Sequence, residues 1–224
     1  MSLDNGNAPT RLPRINEPAP DFEAKSTHGV IRLSDYKGKW VMLFSHPADF
    51  TPVCSTEFIQ FARRAPDFQK LNVQPIGVSV DSVYSHIAWV RTLEEKAGVK
   101  VTFPVVADLD TRVAQAYGMI HPGASDTAPV RAVFFIDPKQ VVRAILYYPQ
   151  STGRNVDEIL RVFEALQTTD TFGFSTPADW KKGGSLVLPP PQTQADAEKR
   201  AADRSVKLTD WFLAEKELET VAKT

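Results

Sequence analysis

The 224-residue sequence predicts an α/β domain built on a central mixed sheet, with a C-terminal extension. Three observations carry that expectation. Short apolar runs such as "WVMLF" and "AVFFI" have the length of strands buried on both faces. They alternate with segments whose apolar residues recur at helical spacing. Late in the domain two such runs are joined only by "PKQ", which makes an antiparallel hairpin.

The elements follow in order. "DFEAKSTHGVIRL" (21–33) reads as two strands around the turn Ser26-Thr27-His28-Gly29. "KWVMLFS" (39–45) is a buried strand. Residues 52–71 read as a helix with Phe58, Phe61 and Ala62 on one face, interrupted at Pro66. "VQPIGVSV" (73–80) is the next strand. A helix over 82–97 buries Ile87, Val90 and Leu93 and ends at Gly98. "FPVVAD" is a short strand and "DTRVAQAYG" a short helix closed by Gly118. The hairpin 131–137 and 141–148 precedes a helix over 155–166, with Asn155 as its cap. This order suits a thioredoxin-like sandwich, its mixed sheet flanked by helices. The boundaries expected are a tail over 1–13, the main domain over 14–170, and an arm and helix over 171–224. The arm is "STPADWKKGGSLVLPPPQTQ", rich in proline and glycine. The segment after it reads as one polar helix with a stripe of Leu208, Trp211, Phe212 and Leu218. That stripe is expected to dock on the main domain or on a second copy, as a dimerisation extension.

Composition narrows the function classes. A net charge of −1 offers no clustered basic surface for nucleic acid. No apolar run approaches the roughly 18 residues of a membrane span. A lone cysteine cannot form an internal disulfide, and the N-terminus has no signal-peptide core. A soluble, reducing, cytoplasmic setting is expected. Neither a metal cluster of Cys and His nor a nucleotide-binding glycine loop is present, so neither metal nor cofactor is expected.

The lone Cys54 stands in "SHPADFTPVCSTEF" (45–58). Thr51 fits an N-cap and Pro52 the first helical position, which places Cys54 third in the helix. Backbone N–H groups lack partners there and the dipole is positive, so an anion such as a thiolate is favoured. The dipole contributes only about 0.3–1 kcal/mol, so a second cation is needed. Arg131 is the candidate, because it opens an otherwise apolar strand and needs a partner or a place at the sheet edge. A buried structural cysteine is the plainer reading of Cys54, and a surface ion pair that of Arg131. His46 is as easily a hydrogen-bonded loop residue. The window "CSTE" lacks the second cysteine of a disulfide oxidoreductase.

These residues resemble a known family. Pro47, Thr51 and Cys54 fit the Pro-x-x-x-Thr-x-x-Cys signature of the peroxiredoxins. "VDSVYSHIAW", "FPVVAD", "RAVFFIDP", "YYPQSTGRNVDEILR" and "TPADWKKGGSLVLP" resemble the single-cysteine, peroxiredoxin 6-like branch in order and spacing, over roughly residues 14–191. The resemblance implies a thiol-dependent peroxidase acting on hydrogen peroxide and organic hydroperoxides. It implies that Cys54 is the peroxidatic cysteine and that Thr51 hydrogen-bonds sulfur and peroxide. Pro47 would shield the pocket and Arg131 hold the thiolate and the peroxide. His46 would lie beside the site, and Glu57 and Arg154 form the charged pair that positions Arg131. The sulfenic acid would be resolved by an external thiol, glutathione or a small redox protein. A homodimer or larger homo-oligomer is the family habit. The alternative is a redox sensor that oxidises at Cys54 without sustained turnover. "THGVIRLSDYKGK" lacks the Gly-x-Ser-x-Gly-like serine credited with lipase action in some members. After about residue 192 the sequence is expected to leave the family pattern.

Thiolate population alone explains little of a fast peroxidase. Lowering a thiol from about 8.5 to 6.5 raises its thiolate fraction at pH 7 roughly 25-fold. A Brønsted slope near 0.5 returns about tenfold of that as lost nucleophilicity. Rate must come from donors aimed at the breaking O–O bond.

Overall fold

A computed structural model describes residues 12–218. Most of the expected tail and the last residues of the expected terminal helix, 219–224, lie outside the described residues. The chain divides into two compact units between Val156 and Asp157.

The first unit holds a seven-stranded mixed sheet. Its strands are β1 (Glu23–Ser26), β2 (Gly29–Arg32), β3 (Trp40–Ser45), β4 (Val73–Ser79), β5 (Val105–Ala107), β6 (Arg131–Ile136) and β7 (Val142–Tyr148), in spatial order β2-β1-β5-β4-β3-β6-β7. β3, β4 and β5 run parallel, and β6 and β7 close one side as the expected antiparallel hairpin. Pro75 is tolerated in β4 because β5 pairs only from Gly77 onward, so Pro75 faces β3 alone.

The alternation of side chains sorts the sheet into two faces. Val41, Leu43, Ile76, Val78, Ala132, Phe134 and Ile136 enter one continuous core with Tyr117 and Met119. The intervening residues of β3 and β6 point to the other face, and Arg131 is among them. That face receives α1 (Pro52–Arg63), α2 (Ala65–Lys70) and α3 (Val83–Ala97). An aromatic cluster fills the space: Phe44 meets Phe58 at 5.5 Å, Phe61 at 4.7 Å and Phe103 at 5.7 Å between ring centroids. Gly77 permits this. A Cβ there would stand 3.3 Å from both Phe44 and Phe58. The helix that bears Cys54 therefore sits close against the sheet because residue 77 has no side chain.

One helix expectation holds and one needs revision. Pro66 does divide 52–71, into α1 and α2. In α3 the buried residues are His86, Trp89 and Leu93; Ile87 is exposed, and Val90 is half-buried. The buried stripe is rotated because the Trp89 ring and the His86 imidazole both have partners beneath the helix. Ser82 caps α3 by accepting from Ser85 N, and Gly98 ends it with φ 64°. The short helix α4 is Arg112–Ala116.

In the second unit α5 (Val156–Phe172) runs beyond the expected end at 166. The expected single terminal helix is not formed. The chain makes α6 (Gln194–Ala202), then a hairpin of β9 (Lys207–Asp210) and β10 (Leu213–Lys216), with β10 pairing also to β8 (Leu186–Val187). This unit has a small core of Ala165, Trp180 and Leu186, with Phe172, Phe174 and Leu218 packed against it. The expected stripe is thereby split. Leu218 joins that core, while Leu208, Trp211 and Phe212 are exposed on the hairpin.

Candidate active site

The site is built where β3 ends and α1 begins. Thr51 has the extended backbone of an N-cap and Pro52 occupies the first turn, as its sequence position demands. The Thr51 hydroxyl does not cap the helix. It donates to the Ala48 carbonyl at 2.8 Å. The first helical bond runs from Ser55 N to Thr51 O, which leaves the N–H groups of Val53 and Cys54 without acceptors in the helix.

Cys54 is fully buried, yet it is not walled in by hydrocarbon. Arg131 Nη1 donates to Cys54 Sγ at 3.3 Å and to Glu57 Oε2 at 2.9 Å. Arg131 Nε and Nη2 both donate to the Gln150 carbonyl, at 2.9 and 2.7 Å. The guanidinium is therefore clamped on two sides. Arg131 opens β6, which lies between β3 and β7, so it is not at the sheet edge. Its burial is sustained by partners instead.

Glu57 links this arginine to a second. Its Oε1 accepts from Arg154 N at 2.9 Å and Nε at 2.8 Å, and Oε2 accepts from Arg154 Nη2 at 2.6 Å. Arg154 Nη1 donates to the carbonyls of Ser45 and Ala132, at 2.9 and 2.8 Å. Its guanidinium also lies 5.2 Å from the Phe44 ring centroid and 5.5 Å from that of Phe61. Burial pushes the Glu57 carboxyl up, but Arg154 and then Arg131 pull it below its ordinary value. Two guanidinium groups and one carboxylate leave one unbalanced positive charge in a buried setting.

His46 follows β3 directly and is also fully buried. Its Nε2 lies 2.9 Å from Asp49 Oδ1, and Asp49 Oδ2 lies 2.8 Å from His86 Nδ1. Asp81 Oδ2 accepts from Asp49 N at 3.0 Å. His46, Asp49, Asp81 and His86 offer atoms within 4.8 Å of one another, close enough to hold a small cation. A proton in each His–Asp contact accounts for those distances equally. Pro47 is half-buried in the loop between β3 and α1.

The model of the AhpC/TSA family matches residues 15–145, and that of the C-terminal domain of 1-Cys peroxiredoxin matches residues 165–203. The chain belongs to the peroxiredoxins.

A peroxiredoxin of Aquifex aeolicus is 50% identical over 218 residues, covering 92% of this chain and 98% of that protein. A peroxiredoxin of Methanosarcina mazei is 48% identical over 211 residues, covering 90% of this chain and 96% of that one. Among solved structures, a yeast mitochondrial 1-Cys peroxiredoxin superposes with a TM-score of 0.80 at 41% identity, over 91% of this chain and 99% of that chain. A cysteine-to-serine mutant of the peroxiredoxin 6 of Arenicola marina superposes with a TM-score of 0.79 at 34% identity, over 91% and 98%. This peroxiredoxin is thus a thiol-dependent peroxidase of the single-cysteine kind, on a thioredoxin-like fold. The family match reaches residue 203, past the departure expected near 192.

Sequence reasoning missed several groups of this peroxiredoxin's site. Gln150 acts through its carbonyl, which carries no side-chain signal. Ser45 donates to the Val130 carbonyl and accepts from Ala132 N, joining β3 to β6 beneath Arg154. Asp49 and His86 are 37 residues apart, and only folding brings them together. The one local signal was the spacing of His46 and Asp49 in "HPAD".

Proposed function

We propose that Cys54 is the sulfur that reduces the peroxide, with Arg131 as its electrostatic partner. The observation that carries this reading is the 3.3 Å contact from Arg131 Nη1 to Cys54 Sγ, inside a set of buried groups with one surplus positive charge. The Cys54 thiolate attacks one peroxide oxygen, forming an S–O bond as the O–O bond breaks. The bonding pair leaves on the second oxygen, which takes a proton and departs as water or an alcohol. Sulfur is oxidised to a sulfenic acid. Arg131 and the free N–H groups of Val53 and Cys54 supply donors for the charge that develops on the leaving oxygen. The Thr51 hydrogen is committed to Ala48, so its oxygen offers the peroxide O–H an acceptor. Pro47 shields the mouth of the pocket. Glu57 and Arg154 position Arg131, and His46 lies beside the site.

An external thiol completes the cycle, because the chain has no second cysteine. It attacks the sulfenic sulfur, releases water and leaves a mixed disulfide, which a second thiol reduces. The yeast mitochondrial relative is described as resolved through glutathione/thioredoxin systems, and the same class, glutathione or a small redox protein, is proposed here. The main domain is read as 14–170, and the segment 171–224 as the part through which two copies associate, as a homodimer or a larger homo-oligomer. The exposed Trp211 and Phe212 support that role. No described helix is long and apolar enough to cross a membrane, and a cytoplasmic setting is proposed.

Intact mass after one equivalent of peroxide tests the reading. The wild type gains one oxygen and Cys54→Ser gains none. Sustained peroxide consumption with excess thiol separates an enzyme from a sensor that stops after one equivalent. A Cys54→Ser protein that still turns over peroxide would refute the assignment.

A further inference from the structure

One loop meets both arginines of the Cys54 site. Residues 149–155 join β7 to α5. Near the start of the loop, the Gln150 carbonyl accepts from Arg131 Nε at 2.9 Å and from Nη2 at 2.7 Å. Near its end, Arg154 grips Glu57 through its backbone N–H and its guanidinium. A turn holds Gln150 in place, with Thr152 N donating to the Pro149 carbonyl at 3.1 Å. The β6–β7 register sets Arg131 opposite Tyr148, two residues before Gln150. Gln150 is half-buried, while Ser151, Thr152 and Gly153 are exposed.

A guanidinium has five N–H donors, one on Nε and two on each Nη. In Arg131, Nε–H and one N–H of Nη2 converge on the Gln150 oxygen. Nη1 divides its two between Cys54 Sγ at 3.3 Å and Glu57 Oε2 at 2.9 Å. Glu57 therefore competes with the sulfur for the same nitrogen. A carboxylate draws a guanidinium into a pair of parallel hydrogen bonds. Pairing of that kind with Glu57 would turn Nη1 away from the sulfur. Two bonds to one carbonyl fix the rotation of the guanidinium plane and oppose that turn. The acceptor is also neutral. A carboxylate in its place would cancel the surplus positive charge of Arg131, Glu57 and Arg154, whereas a carbonyl holds the arginine and leaves that charge intact.

We propose that Gln150 is a positioning residue of the peroxidase: its main-chain carbonyl aims Arg131 Nη1 at Cys54 Sγ and keeps the guanidinium from pairing side by side with Glu57. The inference rests on Arg131 as the electrostatic partner of Cys54. The aim is set before any peroxide arrives, because the carbonyl belongs to the fold and not to the reacting groups. The loop thus serves the site at both ends, through a carbonyl on Arg131 and through Arg154 on Glu57.

Amide-to-ester exchange at the 150–151 link tests this. The α-hydroxy analogue of serine at position 151 turns the Gln150 carbonyl into that of an ester, a weaker acceptor. The Ser151 N–H lost in the exchange has no partner among the described residues, and Ser151 is exposed, so the fold is little disturbed. The ester is expected to slow oxidation of Cys54 by hydrogen peroxide about tenfold in stopped flow, less than the loss of Arg131 altogether. In an Arg131→Met background the ester is expected to slow that step no further, because the carbonyl acts through Arg131. An ester that leaves the rate of the otherwise native chain unchanged, or slows both backgrounds alike, overturns the proposal. If Arg131→Met itself does not slow the step, the reading of Arg131 fails instead, so the two failures are distinguishable. Should the ester protein not fold, arginine side-chain NMR of the ordinary chain decides. The Arg131 Nε–H is expected to be protected from solvent exchange in both the wild type and Cys54→Ser, since the carbonyl and not the sulfur holds it. Exchange as fast as that of an exposed arginine in either protein overturns the proposal.

Discussion

Two buried polar clusters flank the Cys54 helix, and they solve burial differently. Arg131, Glu57 and Arg154 keep one uncancelled charge and satisfy their donors with carbonyls. His86, Asp49 and His46 meet through contacts of 2.8 and 2.9 Å with no guanidinium or ammonium among them. The first cluster carries a surplus positive charge beside Cys54 Sγ, whereas the second places one carboxylate between two imidazoles.

The sharpest way to break this contrast is Glu57→Gln. Removing the carboxylate that bridges two buried arginines is expected to cost about 3–5 kcal/mol in urea unfolding. The matched change in the other cluster, Asp49→Asn, is expected to cost about 1–3 kcal/mol, because the amide can donate to His86 and accept from His46. Equal losses would mean that net charge does not distinguish the clusters.

Arg131→Met comes next. It removes the donor at the sulfur and is expected to slow the reaction with hydrogen peroxide about 10²–10³-fold, measured by stopped flow. A fall of less than tenfold would assign the rate to the helix N-terminus instead.

Acid sharpens the comparison further. His46 binds a proton more readily unfolded than folded, so stability is expected to fall as pH drops below about 6.5. Glu57 and Asp49, both held below their ordinary values, add losses as pH falls through and below about 4. A thermal midpoint traced against pH should therefore decline in two stages, and His46→Gln should remove the upper one.

The smallest effect is expected at the C-terminal hairpin. Trp211→Ser and Phe212→Ser should change folding stability by no more than about 0.5 kcal/mol, since both side chains are exposed. Sedimentation would still register weaker self-association if a second copy covers them.

The first unit was largely legible because its signals are local. Apolar runs marked β3 and β6, Gly98 marked the end of α3, and Thr-Pro-x-Cys marked the start of α1. The rotated face of α3 was not legible, because His86 counts as polar in any periodicity yet is fully buried by its two hydrogen bonds. The terminal segment misled for a similar reason. Ala, Glu and Lys favour helix, and α6 does form over 194–202. Beyond it, β10 is recruited into a sheet by β8 and β9, and β8 lies far back in the chain.

The sequence by itself determined the strand and helix order, the placement of Cys54 at a helix start, and the need of Arg131 for a partner, since each depends on neighbours along the chain or on the period of a single strand. Tertiary structure alone decided that Gln150 and Glu57 would be those partners, that Asp49 would join two histidines, and that the surplus charge would sit at the sulfur. Charge balance in a dry interior is a sum over groups distant in sequence, and only packing selects which of them are summed.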